Sequence, residues 1–153
     1  MLQFSLPLHK NEQRPTVYIE HFYSLDAMLD TGSIFPVWVA NEEKLNALGG
    51  KLIATDKPFG GFGGMTRGNI YEISSFRFGQ LLFPHFHIVA CPRKLPCQLI
   101  LPATMFRGLI YEIDDCNYVL NVTIPDKEST VRNLKIKDDN GLLYVLCTNN
   151  AEL

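Results

Sequence analysis

The sequence lacks the features that mark several large protein classes. No apolar run approaches the roughly 20 residues of a membrane-spanning helix. Residues Met1 to Pro15 hold neither a basic segment followed by an apolar core nor a small-residue cleavage site. A cytoplasmic protein without a membrane partner is the expectation. Charge of one sign is also missing: 14 Lys and Arg stand against 16 Asp and Glu, a formal net charge of −2. That balance gives no basic footprint for nucleic acid.

Chemical motifs are few. There is no Gly-x-Ser-x-Gly, and the glycine-rich "GGFGGMTRG" lacks the Lys-Ser/Thr and the strand-to-helix setting of a phosphate loop. The four cysteines, Cys91, Cys97, Cys116 and Cys147, are irregularly spaced. A chain of 153 residues buries enough core to need no bridges, so free and mostly buried thiols are expected. His85 and His87, two apart in "FPHFHIVAC", fall on one face of a strand, but neither paired Cys-x2-4-Cys nor helical His spacing accompanies them. They are read as residues of a solvent-facing strand edge, with no metal and no cofactor.

Helical periodicity is scarce as well, and what replaces it is informative. Hydrophobic residues make up 46% of the chain and charged residues 20%, the balance of a folded domain. The apolar residues come in short β-branched and aromatic runs bounded by Gly, Pro, Asn and Asp, which predicts an all-β fold. Predicted strands include "LQFSL", "TVYIE", "DAMLD", "FPVWVA", "KLIAT", "NIYEI", "FRFG", "PHFHIVA", "CQLILP", "YVLNVTI", "LKIK" and "LLYVL". Two short helices are expected. In "NEEKLNALGG", Asn41 caps the first turn, Glu42 and Glu43 suit its positive end, and Gly49-Gly50 ends it. "ATMFRGL" is the other.

Two glycine signals organise the rest. Four glycines crowd the five residues Gly60 to Gly64 between strand-like segments, a tip that permits close backbone approach. After Pro125 a polar linker, "DKEST", leads into two apolar-alternating runs joined by Asn140-Gly141, a strong hairpin signal. The chain divides accordingly into a domain over 1-125 and a C-terminal β-hairpin extension over 126-153.

One motif carries chemistry. Asp30-Thr31-Gly32-Ser33 follows the apolar "AML" and precedes "IFPVWV". All four residues are turn formers, so a plain turn accounts for them locally; their order relative to the glycine tip and to the apolar "QLILPATMF" says more. In "AMLDTG", in Gly60-Gly61-Phe62-Gly63-Gly64 and in Gln13-Arg14-Pro15 before the first sheet strand, the chain resembles the retropepsins, single-lobe aspartic proteases of the retroviral type. The resemblance covers residues 1 to about 124. It departs at Ile100-Leu101-Pro102-Ala103-Thr104, where Pro-Ala-Thr replaces the family's Gly-Arg-Asp/Asn and removes its interface arginine.

The resemblance implies a closed or partly open β-barrel-like acid-protease fold, homodimeric, with one or two short helices. It implies an aspartic endopeptidase in which two carboxylates share one proton and activate one water. No second Asp-Thr/Ser-Gly occurs, so the second carboxylate has to be Asp30 of another copy, and the homodimer is a requirement. Asp30, Thr31 and Gly32 are the catalytic loop, with the Thr31 hydroxyl reaching to the partner loop and the Gly32 N–H facing the carboxylate. Ser33 adds a further hydrogen bond to Asp30. Gly60, Gly61, Phe62, Gly63 and Gly64 form a flap over an extended peptide, which binds as an added strand. Val37, Ile53, Phe59, Phe62 and Leu101 are expected to line apolar subsites. The alternative is a non-catalytic retropepsin-like dimerisation or peptide-binding module, motivated by the altered closing segment and the extra hairpin.

Overall fold

The computed structural model describes residues 2–10, 15–20, 24–126 and 131–149. Gln13 and Arg14, and residues 127–130 of the polar linker, lie outside them. The first half of the chain forms β1 (Leu2–Pro7), β2 (Thr16–Glu20), β3 (Ser24–Asp30), β4 (Val37–Trp38), β5 (Gly50–Gly61), β6 (Gly64–Ile73) and β7 (Phe76–Phe78). The second half forms β8 (Leu81–Phe83), β9 (Phe86–Ala90), β10 (Leu99–Pro102), β11 (Ile110–Asp114), β12 (Val119–Ile124), β13 (Arg132–Asp139) and β14 (Leu142–Asn149). Two 3-10 helices, Glu42–Asn46 and Ala103–Phe106, complete the described elements.

The predicted all-β architecture is the observed one. β8 and β11 are not among the predicted strands. The first is three residues long, too short to show a period, and the second is an edge strand whose first three residues are exposed. The first helix is capped as predicted: the Asn41 side chain accepts the Glu43 N–H at 2.9 Å.

Most strands join one sheet in the order β14-β13-β9-β4-β10-β3-β2, with the β5–β6 hairpin attached through β6 to β9. β10 lies between β3 and β4, parallel to β3 with Pro102 opposite Asp30, and antiparallel to β4. This fixes the Asp30 loop against the start of the second 3-10 helix. β1, β12 and β11 form a separate antiparallel sheet, and β7 pairs with β8.

Two buried clusters fill the interior. The larger contains Trp38, Phe76, Phe78, Phe83 and Phe86. Trp38 is fully buried, and its indole N–H donates to the Asn41 carbonyl at 2.8 Å. The smaller joins Met28, Phe35, Val37, Phe59 and Ile100 to Ile136 and Leu143 of the last two strands.

Asn140 and Gly141, at φ 54° and 83°, make the β13–β14 turn, so the Asn-Gly signal marks a real hairpin. β13 joins β9 in parallel through Leu134 and Phe86, and Leu134 is fully buried. All four cysteines are thiols outside any disulfide: Cys91 and Cys97 are buried, Cys147 is half-buried and Cys116 is exposed.

The two histidines depart from expectation. His85 sits exposed in the turn before β9, whereas His87 is buried inside the sheet. The Ile136 N–H donates to His87 Nδ1 at 2.9 Å, which leaves the ring proton on Nε2, where it donates to Glu72 Oε2 at 2.9 Å. A strand that has neighbours on both sides has no solvent edge, so His87 persists by satisfying both ring nitrogens.

Candidate active site

Asp30 closes β3, and Asp30 to Ser33 turn sharply away from the sheet. The Gly32 N–H donates to Asp30 Oδ1 at 2.9 Å and the Ser33 N–H to the Asp30 carbonyl at 3.2 Å. These are the bonds by which an Asx-type turn holds a carboxylate in place. Thr104 of the second 3-10 helix donates to the Ile34 carbonyl at 3.2 Å, fastening the far side of the loop. Ser33 differs from expectation: its hydroxyl donates to the Phe35 carbonyl at 2.8 Å, and its one proton is thereby directed away from Asp30.

A cavity of about 440 Å³ opens at this loop. Asp30, Gly32 and Ser33 form its floor, Met28, Phe35, Val37 and Ile100 its inner wall, and Phe59 to Phe62 its roof. Leu95, in the segment between β9 and β10, contributes from the side. The roof is the β5–β6 hairpin, whose tip turns at Phe62 and Gly63 with φ of 52° and 84°. Adding a Cβ at Gly60, Gly63 or Gly64 would meet nothing within 4 Å, so open space lies on the side-chain side of these glycines.

The predicted lining is partly corrected. Val37, Phe59 and Phe62 border the cavity, but Ile53 is exposed on the hairpin arm and Leu101 is buried on the other side of the sheet. Side chains alternate along a strand, so Ile100 faces the cavity and Leu101 cannot. The same rule places Met28 beside Asp30, two residues along β3, and that alternation is readable in the sequence alone.

Leu101 instead borders a second cavity, of about 230 Å³, on the opposite side of Asp30 and Thr31. Phe106 and Tyr111 also line it, their rings 4.7 Å apart. Thr31 and Tyr111 are exposed here, and Leu29, Ala103 and Ile113 are half-buried along the same cavity. The Asp30 loop is thus flanked on this side by accessible apolar surface.

A polar network fixes the base of the hairpin. Glu42 Oε1 accepts from Asn69 Nδ2 and from the Tyr71 hydroxyl, each at 2.7 Å. Burial first, and the Glu42 carboxylate second, push the Tyr71 hydroxyl up to about 12. Further out, Arg67 grips the Asp56 carboxylate and the Asp56 carbonyl, both at 2.7 Å. The Arg67 guanidinium holds the Asp56 carboxyl below its usual range. Among the described residues no group of three His, Cys, Asp or Glu is placed to hold a metal ion, and no helix is long and apolar enough to cross a membrane.

No known family model matches the chain. No curated protein sequence matches it either. Its structure, however, is similar to the crystal structure of a retropepsin-like aspartic protease from Rickettsia conorii, with a TM-score of 0.55 over 80% of this chain and 90% of that one, at 17% sequence identity. With sequence likeness this low it is the fold that the two proteins share, and the chain has a retropepsin-like all-β fold.

Proposed function

We propose that this protein is an aspartic endopeptidase that acts as a homodimer, with the Asp30 carboxylates of two copies activating one water. The observation that carries the reading is the position of Asp30 on the floor of an apolar cavity roofed by a glycine-tipped hairpin. A lone carboxylate does not split an amide by this chemistry. Two facing carboxylates cannot both ionise, so one remains a base toward the water and the other an acid toward the scissile carbonyl oxygen.

Gly32 orients the carboxylate from within its own loop. The exposed Thr31 and the apolar surface beside it give a second copy a seat on that side of Asp30. Substrate enters on the other side as an extended strand, with the β5–β6 hairpin as flap. The flap's backbone reads the peptide main chain and excludes water on closing. Met28, Phe35, Val37 and Ile100 favour apolar or aromatic side chains at the scissile bond.

The test is cleavage of a peptide library by the purified chain between about pH 3 and 7, the range of shared-proton dyads, with Asp30→Asn as control. Cleavage that is lost in the variant, while its fold and dimer persist, supports the reading; equal cleavage by both proteins sinks it. The non-catalytic module keeps one specific point in its favour, since Pro102 lies opposite Asp30 and the segment after it lacks the family's arginine. A chain that is monomeric in sedimentation and inert toward every peptide decides for that reading.

A further inference from the structure

The β5–β6 hairpin is built in two parts. Its pairing register shifts between Leu52 and Ala54 and again between Ala54 and Lys57, and Asp56 adopts a φ of 52°. A strand bends at such a bulge. Beyond it the ladder is regular, Lys57 pairing with Gly68 and Gly61 with Gly64, so the distal arm that carries Phe62 is one continuous two-stranded unit set off from its root by the bulge.

Lys57 is the first paired residue beyond the bulge, and its ammonium lies 2.7 Å from Asp138 Oδ2 in the C-terminal hairpin. The other carboxylate oxygen, Oδ1, accepts the Gly141 N–H at 3.1 Å. One carboxylate therefore shapes the β13–β14 turn and holds the distal arm. The side chains of Lys57 and Asp138 are 34% and 35% exposed, so the pair is partly shielded from water.

Apolar packing lies in the same interface. Ile136 and Leu143 share a buried cluster with Phe59 and Ile70 of the hairpin, and Ala54 and Val145 pack against it. The C-terminal hairpin is itself pinned to the sheet, by the pairing of Leu134 with Phe86 and by the Ile136 N–H donated to His87. It is a fixed post, while the distal arm is a lever.

We propose that the C-terminal hairpin is a stay for the flap: through the Lys57–Asp138 pair it holds the root of the distal arm and so sets how the tip stands over the Asp30 cavity. Lys57 and Asp138 are positioning residues, remote from the reacting atoms. The flap's part in turnover rests on the endopeptidase reading, but the mechanical coupling does not.

Amide hydrogen exchange on the full chain, for Lys57→Met, Asp138→Asn and the double variant, tests it; the amide introduced by Asp138→Asn keeps an oxygen for the Gly141 N–H. Each single change is expected to speed exchange of amides 59–66 by up to about fivefold, the range open to a partly exposed ion pair. The double variant should go no faster than either single, with β9 and β10 unchanged. Flap exchange that is unaltered in the singles, or additive in the double, overturns the proposal. For an active chain the singles should also raise KM with kcat little altered. A chain that cleaves nothing fails the endopeptidase reading alone, because the exchange measurement needs no turnover.

Discussion

The Arg93 guanidinium lies over the ring of Phe62, 4.8 Å from its centroid, and donates from Nη2 to Thr66 Oγ1 at 3.1 Å. A cation in the segment between β9 and β10 thereby holds the hairpin tip from one side of the cavity, while Lys57 and Asp138 hold its root from the other.

Removing the Arg93 contact should loosen the tip without unfolding the domain. An exposed cation–π pair is worth about 0.5–1 kcal/mol, so Arg93→Ala is expected to lower kcat/KM on a peptide substrate about two- to fivefold. Arg93→Lys should restore only part of the loss, since it lacks the planar fork. Melting temperature, measured in parallel, should be nearly unchanged.

Gly32 is a steric requirement of the Asp30 loop. A Cβ there would sit 3.3 Å from Asp30 Oδ1, tighter than ordinary contact, with nothing else near it. Gly32→Ala should therefore displace the carboxylate while leaving the fold intact. The carboxylate has to give by a few tenths of an ångström; a misplacement on the order of 1 Å costs about 10²-fold in rate, so a severalfold loss is expected here. Kinetics alongside a thermal melt separate this from instability, and an alanine variant with full activity would refute it.

Gly68 plays a different part. Its Cβ would meet the Ala90 carbonyl oxygen at 2.5 Å and Val89 Cγ1 at 2.8 Å, and neither the β9 backbone nor that packed side chain yields easily. Gly68→Ala should push the hairpin off β9, at about 1–3 kcal/mol for an overpacked site. A melting temperature lower by several degrees is expected.

Acid should weaken the sheet at Glu72. Its carboxyl is held below the ordinary 4.5, chiefly by the hydrogen bond from His87 and secondarily by His85, against the opposing effect of burial. A depressed folded value means that the stabilisation is fully present above about pH 4.5 and is lost as pH falls through the lower folded value. Melts of the wild-type chain and Glu72→Gln should differ at pH 6 and draw together as pH falls below about 4.5. Parallel curves over that whole range would contradict the assignment.

Much of the fold was legible because it is written in short-range pattern. β-branched and aromatic runs gave most of the strands, Asn41 the cap of the first helix, and Asn140-Gly141 the last hairpin, each through backbone preferences acting over a few residues. The candidate site was legible to the same depth, in Asp30, its turn and the glycine tip. The faces of β10 were harder, since an apolar run does not say which of Ile100 and Leu101 looks into the cavity. The partner of Ser33 was not legible because a hydroxyl takes the nearest well-placed acceptor, and only the folded loop reveals that to be the Phe35 carbonyl.

By itself the sequence determined an all-β chain with one Asp-Thr-Gly turn and one glycine-tipped hairpin, because turn chemistry and strand alternation are local. Only the tertiary structure decided that the hairpin stands over Asp30, that Met28 and Ile100 wall the cavity, and that His87 is buried. The Lys57–Asp138 and Arg93–Phe62 contacts belong to that second group. They join segments far apart in the chain, and such pairs depend on how the sheet brings strands together rather than on any preference of the residues themselves.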